Sequence, residues 1–299
     1  MKAGFIAVVG RPNVGKSTLI NKLVSEKVAI VSDKSGTTRE NIRGILNRGG
    51  NQYIFIDTPG IHKPRNLLGD YMTQNAVGVL SEVDVIMFVL DGTVPVGTGD
   101  RFVMERILEA KRVPRIIALN KTDKLSDAAL LEKKAEIEEK LTKFDGYIEI
   151  SGKYGFGLER LLAAVDPFLE EGICYYPEDM YTDMPTYRII TEIIREKILQ
   201  KTRDEIPHSV AIELIHTEQR KKSADLFQAN IYVERNSQKG IVIGKNGRLL
   251  KEIGTEARLE IEKLLNHPVY LELWVKVKED WRKKKPFLRE MGYAPEKGM

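Results

Sequence analysis

Gly10-Arg11-Pro12-Asn13-Val14-Gly15-Lys16-Ser17 is the stretch that decides the fold of the first half of this chain. It matches the phosphate-binding pattern G-x-x-x-x-G-K-[ST] and stands in the required context, between the apolar run Phe5–Val9 and the amphipathic stretch Lys16–Val24. Backbone N–H groups of such a turn surround phosphate oxygens, and the dipole of the following helix favours negative charge. We therefore expect Lys16 to neutralise the β- and γ-phosphates of a nucleotide and Ser17 to ligate Mg²⁺.

Short apolar runs alternate with amphipathic stretches over residues 1–171. The runs after the first are Tyr53–Ile56, Val85–Leu90, Arg115–Leu119 and Tyr147–Ile150. The further helical candidates are Arg101–Ala110, Ala128–Lys143 and Leu158–Leu169. Runs rich in Ile, Val and Phe that end at Gly, Pro, Asn, Asp or Ser are typical of buried parallel strands joined by crossover helices. The sequence predicts a P-loop domain with a doubly wound, mostly parallel α/β sheet over residues 1–171.

The pattern changes after residue 171. Residues 172–186 include Pro177 and Pro185 and show no periodicity, which predicts an interdomain linker. Beyond it we predict a helix, two strands, a helix and a strand: Arg188–Lys201, Ser209–Ile215, Asn230–Glu234, Leu249–Leu265 and Val269–Lys278. The first helix carries its isoleucines on one face: Ile189, Ile190, Ile193, Ile194 and Ile198. This order predicts a separate α+β domain over residues 187–299 that ends in a basic tail.

Composition excludes several classes of protein. With 42% hydrophobic and 30% charged residues, the chain of 299 residues can bury a core and is not disordered. One cysteine, Cys174, cannot form an internal disulfide, and Cys-based zinc sites need several. A reducing, cytoplasmic location is therefore expected, and no apolar run approaches the roughly 18 residues of a membrane span.

The basic residues are unevenly distributed. Residues 1–186 hold 24 Lys and Arg against 26 Asp and Glu, a formal charge of −2. Residues 187–299 hold 23 against 17, a formal charge of +6. An anionic partner of the C-terminal half and a merely solvated basic face both fit this difference.

A second motif, Asp57-Thr58-Pro59-Gly60, follows the strand Tyr53–Ile56. The Asp57 carboxylate is expected to hold the Mg²⁺ shell, and the Gly60 N–H is expected to reach the γ-phosphate. Ras-like proteins place a water-orienting Gln directly after this motif, but here the residue is Ile61. Because an aliphatic side chain cannot orient water, intrinsic hydrolysis is expected to be slow, or another group supplies the missing charge.

The base is predicted to be guanine. In Asn120-Lys121-Thr122-Asp123, after the strand Arg115–Leu119, the Asp123 carboxylate can accept hydrogen bonds from guanine N1–H and its amino group. Adenine would leave that carboxylate unpaired, so ATP is rejected. The stem of Lys121 can pack over the base, and Ser151-Gly152-Lys153 can offer a backbone N–H to guanine O6.

These four elements, in this order, resemble the translation-factor class of GTPases. The resemblance implies a Mg²⁺-ligating threonine in the first switch, in Ser35-Gly36-Thr37-Thr38-Arg39, where Thr38 matches the position and an exchange of roles with Thr37 stays open. It also implies that Asn13 helps to bind K⁺, with turn stabilisation as the equal alternative. The predicted catalytic residues are Asn13, Lys16, Thr38 and Gly60, and the predicted metal ligands are Ser17, Thr38 and Asp57. The predicted GTP-binding set is Gly10–Thr18, Asp57–Ile61, Asn120–Asp123 and Ser151–Lys153.

A third motif lies in the basic half. Gly240-Ile241-Val242-Ile243-Gly244-Lys245-Asn246-Gly247 carries the G-x-x-G loop of a KH domain of the prokaryotic type, which clamps about four nucleotides of a single strand. The predicted RNA-binding residues are Ile241, Ile243, Gly244, Lys245, Asn246, Gly247 and Arg248. For the tail Trp281–Arg289 both RNA contact and a helix that caps the domain are open. We interpret Tyr270 and Trp274, on the alternate face of the last strand, as packing surface rather than as a platform for bases.

A P-loop GTPase domain followed by a KH domain resembles the Era family of bacterial ribosome-associated GTPases over nearly the whole chain. Three strings carry the likeness: Asp57–Pro64 (DTPGIHKP), Arg195–Val210 (REKILQKTRDEIPHSV) and Gln238–Arg248 (QKGIVIGKNGR). The resemblance implies a GTP/GDP switch that binds the 3′ end of small-subunit ribosomal RNA and assists 30S assembly. A monomer is expected. The resemblance also implies peripheral association with the inner membrane, for which the sequence itself offers no amphipathic anchor.

Three rival functions are weighed against this one. A GTPase of tRNA modification or large-subunit assembly would lack the G-x-x-G module. A passive KH RNA-binding protein with a structural nucleotide would not need Lys16, Ser17, Asp57 and Thr38, although Ile61 leaves the rate open. An ATP-driven RNA remodeller would lack Asn120 and Asp123.

Overall fold

The chain forms two units in the computed structural model, which describes residues 1–34, 36–64, 66–141, 143–172, 174–220 and 223–293. One unit comprises Met1–Val31, Thr38–Arg65 and Gly69–Asp183. The other comprises Ser32–Thr37, Asn66–Leu68 and Met184–Met299. Ser35 of the first-switch string and the tail residues 294–299 lie outside the described residues.

The first unit alternates strands and helices, as the sequence predicts. Its strands are β1 (Lys2–Val9), β2 (Ile42–Arg48), β3 (Asn51–Asp57), β4 (Val85–Asp91), β5 (Arg115–Asn120), β6 (Gly146–Glu149) and β7 (Glu170–Glu171). Its helices are α1 (Lys16–Val24), α2 (Leu67–Gly78), α3 (Thr98–Glu109), α4 (Asp127–Lys140) and α5 (Leu158–Val165). The five predicted strands and four predicted helices of this half are present within a few residues of their predicted ends.

The sheet has the order β2-β3-β1-β4-β5-β6, and β7 pairs with β1. Strands β3, β1, β4, β5 and β6 are parallel neighbours, while β2 is antiparallel to β3. The carboxyl ends of the parallel strands therefore meet at one edge of the sheet, on both sides of β1. In sheets of this kind ligands bind outside those ends, where the strand order reverses.

Both faces of the sheet are covered. Ile6 and Val8 of β1 belong to one apolar cluster, together with residues of α1 and α5. The alternating residues Ala7 and Val9 belong to a second cluster that includes residues of α3. Because a parallel strand with helices on both sides is buried on both faces, its sequence is a continuous apolar run, which made these strands predictable.

Three elements of this unit escaped prediction, and one was predicted too long. Strand β2 has a mixed sequence, and its signal was the turn Gly49-Gly50, both with positive φ, which joins it to β3 as a two-residue hairpin. Helix α2 and the short β7 were also missed. Helix α5 was predicted to Leu169 but ends at Val165, where the 3₁₀ turn Asp166–Phe168 follows. Pro167 has no N–H to donate, so the α-helical hydrogen-bond ladder is interrupted there.

The predicted linker is bound to the edge of this sheet. Ile45 N donates to Tyr181 O at 2.8 Å, and Gln52 Oε1 accepts from the backbone N–H groups of Tyr175 and Tyr176. Arg43 forms an ion pair of 2.5 Å with Asp183. Residues 174–183 thus follow the edge strand β2 and its neighbour β3, and the predicted domain boundaries at 171 and 187 stay a prediction.

The second unit contains α6 (Thr186–Lys201), α7 (Ile206–Ser209), β8 (Ala211–Glu218), β9 (Asp225–Val233), α8 (Asn236–Ile243), α9 (Arg248–Leu265), β10 (Val269–Val277) and α10 (Lys285–Glu290). Its sheet has the order β10-β9-β8, with β10 parallel and β8 antiparallel to β9. The isoleucine face of α6 and the apolar face of β10 both belong to its core, as predicted. Helices α7, α8 and α10 were not in the predicted order.

The aromatic residues of the tail pack onto this unit. Trp281 is fully buried, and its Nε1–H donates to Ser209 O at 2.8 Å. Phe287 is also buried, with its ring centroid 5.0 Å from that of Tyr232. The described part of the tail therefore caps the second unit, which was one of the two open interpretations. No helix within the described residues has the length and hydropathy needed to cross a bilayer.

Candidate functional site

The phosphate-binding turn lies between β1 and α1, at the carboxyl edge of the sheet. Lys16 opens α1 and is buried, and its Nζ donates to Gly10 O at 3.2 Å and to Arg11 O at 3.1 Å. Burial lowers the pKa of Lys16 to about 8, against the opposing effect of the Asp57 charge. Lys16 thus places a buried ammonium group among backbone oxygens, and a bound phosphate would raise its pKa again.

Ser17, Thr38 and Asp57 converge beside this turn. Ser17 Oγ donates to Asp57 Oδ2 at 2.6 Å, Thr38 Oγ1 donates to the same oxygen at 3.2 Å, and the two hydroxyls are 3.1 Å apart. Asp57 is fully buried, which raises its pKa although Lys16 and both hydroxyls oppose the shift. This cluster is supplied by three elements that are distant in sequence: helix α1, the loop that precedes β2, and strand β3.

The donor set of this cluster fits Mg²⁺. It consists of oxygen ligands, which this cation prefers, and Asp57 Oδ1 is buried without a hydrogen-bond partner. The hydroxyl of Thr37 instead donates to Lys34 O at 2.6 Å. Thr38 rather than Thr37 therefore faces Ser17 and Asp57. The sequence left open which of the two threonines takes this position.

Ile61 lies in the core and not at the surface of the site. Its side chain is fully buried in the second apolar cluster, and its N–H donates to Gly10 O at 3.1 Å. Gly60 packs so closely on the phosphate-binding turn that an added Cβ would lie 2.7 Å from Pro12 N. The side chain at the position of the Ras-like Gln thus anchors the loop and cannot reach a water molecule.

Asn120 joins the three loops of the predicted guanine site. Its Nδ2 donates to Val14 O at 2.9 Å, and its Oδ1 accepts from Gly152 N at 2.8 Å. Ser151 Oγ donates to Asp123 Oδ1 at 2.6 Å, and Asp123 itself is exposed. Since the N–H groups of Ser151 and Gly152 already donate within the protein, to Phe156 O and Asn120 Oδ1, the predicted contact to guanine O6 stays a prediction.

Sequence reasoning missed Asp91 at the end of β4. Lys121 Nζ donates to Asp91 Oδ2 at 2.6 Å and to Asn13 O at 2.9 Å, so Asp91 fixes the lysine that ties the base loop to the phosphate loop. Partial burial would raise the pKa of Asp91, but hydrogen bonds from Lys121 and Thr93 outweigh it and hold the pKa below its ordinary value. Its signal was an acid directly after a buried parallel strand.

The other predicted residues of the phosphate loop have separate surroundings. Arg11 forms an ion pair of 2.7 Å with the buried Asp100 of α3. Asn13 is exposed and has left-handed backbone, with φ of 66°. Asparagine adopts left-handed backbone more readily than most residues, which fits the alternative that Asn13 stabilises the turn. Its predicted role in binding K⁺ therefore stays a prediction.

In the second unit the G-x-x-G loop joins α8 to α9. Gly244 and Gly247 have φ of 74° and 75°, a left-handed backbone that favours glycine at both positions. Lys245, Asn246 and Arg248 are exposed around this turn, whereas Ile243 packs against the core of the unit. The turn therefore projects polar groups to solvent between two helices.

A groove of about 530 Å³ begins at Gly247 and runs between α9 and β10. It is lined by Gly247, Leu250, Lys251, Gly254, Thr255, Arg258, Tyr270, Leu271 and Leu273. Of the seven residues predicted to bind RNA, Gly247 alone lines it, and Ile241 is 51% exposed on α8. The missed lining residues of α9 recur at helical spacing from Gly247, a signal that the sequence contained.

Tyr270 and Trp274 correct one interpretation. Both were taken as packing surface, but their side chains are 56% and 41% exposed. The core lies on the other face of β10, with Leu271 and Leu273 packed partly against it.

Comparison with known proteins gives consistent matches over both halves. Residues 5–121 match the family model described as 50S ribosome-binding GTPase, and residues 205–282 match the KH domain model. GTPase Era of Fusobacterium nucleatum is 69% identical over 296 residues, covering 99% of this chain and 100% of that protein. GTPase Era of Carboxydothermus hydrogenoformans is 48% identical over 98% of both chains.

Two solved structures of Era proteins are similar over the whole chain. An Aquifex aeolicus Era variant bound to GDP and AlF₄⁻ has a TM-score of 0.94 at 40% identity, covering 99% of this chain and 100% of that one. Era in complex with MgGDPNP and nucleotides 1506–1542 of 16S ribosomal RNA has a TM-score of 0.95, with the same identity and coverage.

Proposed function

This chain belongs to the Era family of GTPases, and from that premise we propose that it is a GTP-dependent switch that binds small-subunit ribosomal RNA near its 3′ end and assists 30S assembly. One observation carries the proposal: a guanine-nucleotide site with a convergent Ser17, Thr38 and Asp57 shares the chain with a KH module whose groove starts at its G-x-x-G loop. The Era protein solved with 16S ribosomal RNA supports the choice of RNA.

The residues of the nucleotide site divide the work of GTP hydrolysis. Lys16 would hold the β- and γ-phosphates, and Asp123 would select guanine. Ser17, Thr38 and Asp57 would hold Mg²⁺, which when bound neutralises charge on the phosphate oxygens. Because Ile61 is buried in the core, no side chain at its position orients water, and we expect slow intrinsic turnover.

The switch would act through the loop that carries Thr38. This residue lies between α1 and β2, outside regular structure, and contacts the cluster through its hydroxyl. Contacts with the γ-phosphate order such segments, and hydrolysis releases them. We propose a GTP-binding domain over residues 1–171, a linker over 172–186 that transmits this order, and a KH domain over 187–299.

The proposal is tested by RNA affinity in two nucleotide states. A short single strand from the 3′ end of small-subunit ribosomal RNA is titrated, at fixed salt, with the protein loaded with GDP or with a non-hydrolysable GTP analogue. We expect at least about tenfold tighter binding with the analogue, within the usual range of coupling between sites. Equal affinity in both states would instead favour a passive KH protein whose nucleotide is structural.

A glycine variant ties the binding to the G-x-x-G loop. Gly247→Asp adds a negative charge where a Cβ meets nothing within 4 Å, so only the positive φ strains the variant, whereas at Gly244 a Cβ would also lie 2.7 Å from Leu249 Cβ. Gly49→Asp is the matched control, with φ of 58° and similarly open surroundings in the first unit. RNA binding should be lost in the first variant and kept in the second.

A further inference from the structure

Strand β10 presents different surfaces on its two sides. Leu271 and Leu273 point toward α9 and line the RNA groove. The alternate residues Tyr270, Trp274 and Lys276 are exposed, and we call them the outer face of β10. Tyr270 also borders the groove, so the two surfaces are continuous at this residue.

The aromatic rings of the outer face are left to solvent. The Trp274 side chain is 41% exposed, whereas the chain's other tryptophan, Trp281, is fully buried and hydrogen-bonded. Neither Tyr270 nor Trp274 stacks on another aromatic ring within the residues that the structure describes. Exposed rings on a sheet are the platform on which single-stranded RNA stacks its bases.

The sheet is open along β10. This strand pairs with β9 and forms one end of the order β10-β9-β8. A nucleic-acid strand that leaves the groove beside Leu271 therefore meets the outer face after passing a single strand of the sheet.

The charges around the outer face are compatible with RNA. Lys276 is exposed on it, and the groove contributes Lys251 and Arg258. Glu272 and Glu213 lie on the same side of the sheet and keep their charge, although they accept hydrogen bonds from Gln228 Nε2 at 2.5 Å and from Tyr232 Oη at 2.7 Å. The outer face would therefore hold bases by stacking, while the basic groups of the groove hold phosphates. Residues 187–299 carry a formal charge of +6.

We propose that the outer face of β10 is a second RNA-binding surface, on which Tyr270 and Trp274 stack bases of the same strand outside the part held in the groove. The inference rests on the proposed RNA-binding function and extends it. Stacking tolerates any base, so this surface would lengthen the RNA site and raise affinity without reading sequence.

Tryptophan fluorescence tests the proposal directly. The chain has two tryptophans, and Trp281 is fully buried, so quenching by added RNA reports on Trp274. The GTP-analogue form of the full chain is titrated with a four-nucleotide RNA and with the same RNA extended by four nucleotides at its 5′ or its 3′ end. We expect quenching with at least one extended RNA and not with the short one, and Trp274→Phe should abolish that signal.

Affinity provides the second readout. Trp274→Ala should weaken binding of the extended RNA by about tenfold and leave the short RNA unchanged, since one stacked base contributes on that order. Ile215→Ala is the matched control, because Ile215 is an exposed apolar residue on β8, at the opposite edge of the same sheet.

Three outcomes would overturn the inference. If the extended RNA binds through Gly247 yet neither quenches fluorescence nor responds to Trp274→Ala, the outer face is not an RNA surface, and the proposed function stands. If Trp274→Ala changes the sedimentation of the free protein instead of its RNA affinity, the face joins copies of this chain. If no RNA of any length binds the wild type, the proposed function itself fails.

Discussion

The nucleotide site takes its groups from loops at the carboxyl ends of parallel strands, whereas the groove proposed for RNA takes its walls from the side of one helix and one edge strand. In the first region each functional group lies within a short contiguous motif, such as Asn120–Asp123. In the second region the motif supplies the turn, and the lining residues are spread from Gly247 to Leu273. Short motifs therefore name most groups of a site built from loops, although they missed Asp91, and they reach a groove built from a helix and a strand only at one end.

The largest effect is expected at Asp123, the carboxylate proposed to select the base within one of these short motifs. Asp123→Asn replaces an acceptor by a group that presents an N–H to guanine's own N–H groups, and we expect GTP affinity to fall by about 100-fold or more. Xanthosine triphosphate, which carries a carbonyl oxygen in place of the amino group, should then bind better than GTP. Competition between the two nucleotides measures the change. Unchanged preference for GTP would mean that Asp123 does not contact the base.

The titration of Lys16 tests the phosphate loop with a smaller expected effect. Its pKa in the nucleotide-free protein is about 8, because burial disfavours the charged form. Bound phosphates favour the ammonium ion, so binding takes up a proton above pH 8 and affinity falls as pH rises through this value. We expect GDP to bind about sevenfold more weakly at pH 8.8 than at pH 7.

Calorimetry in buffers of different ionisation enthalpy measures both the affinity and the proton uptake. The control is Lys16→Arg, whose guanidinium stays charged throughout this range. Its residual GDP affinity should be independent of pH. A wild-type profile as flat as that of the variant would contradict the assigned pKa shift.

Two lysines close together in sequence, Lys245 and Lys251, distinguish the turn from the groove. Lys251 lines the groove, whereas Lys245 lies in the G-x-x-G turn and does not line it. If the groove rather than the motif determines binding, Lys251→Ala should weaken RNA binding by about fivefold and lower the salt dependence by about 0.7. Filter binding at several salt concentrations measures both quantities. A larger effect of Lys245→Ala would place the RNA backbone on the turn, as the sequence predicts.

Gly254 carries the smallest expected effect. It lies inside α9, where a Cβ would be 3.5 Å from Leu273 Cδ1, an ordinary contact. Gly254→Ala should raise the free energy of unfolding of the second unit by about 0.5–1 kcal/mol, because alanine has the higher helix propensity. Urea unfolding followed by tryptophan fluorescence measures it, since both tryptophans lie in this unit. Gly78→Ala, at the end of α2 in the first unit, should leave that transition unmoved.

An element could be predicted from the sequence where its burial left a clear pattern in the residues of that element. Strands β1, β3, β4 and β5 were predicted because burial on both faces makes their sequences largely apolar. The edge strand β6 is only partly buried, and its prediction rested on the short run Tyr147–Ile150. Strand β2 was missed because an edge strand with one solvated side has a mixed sequence. Helix α8 was missed because its aliphatic run Ile241–Ile243 is short and does not distinguish helix from strand.

Side-chain partners beyond the motifs depended on pairing across the fold. Asp91 is 30 residues from Lys121 in sequence, yet the parallel pairing of β4 with β5 brings their ends together. The sequence also could not show whether Thr37 or Thr38 lies beside Ser17 and Asp57, since two adjacent threonines in a loop give the same pattern. Their contacts, to Lys34 O and to Asp57, distinguish them.

The sequence by itself determined the chemistry of this protein: phosphate, guanine and RNA motifs fix residue types at short spacing, and apolar runs fix the alternation of strands and helices. Tertiary structure alone decided which residues line the groove between α9 and β10, which faces of β10 are covered, and that Ile61 belongs to the core. The physical reason is that a motif constrains neighbours along the chain, whereas burial depends on elements brought together from distant positions. Exposure of Trp274 is a property of that assembly, because its alternation with Leu273 and Val275 is the same whether its own face is covered or open.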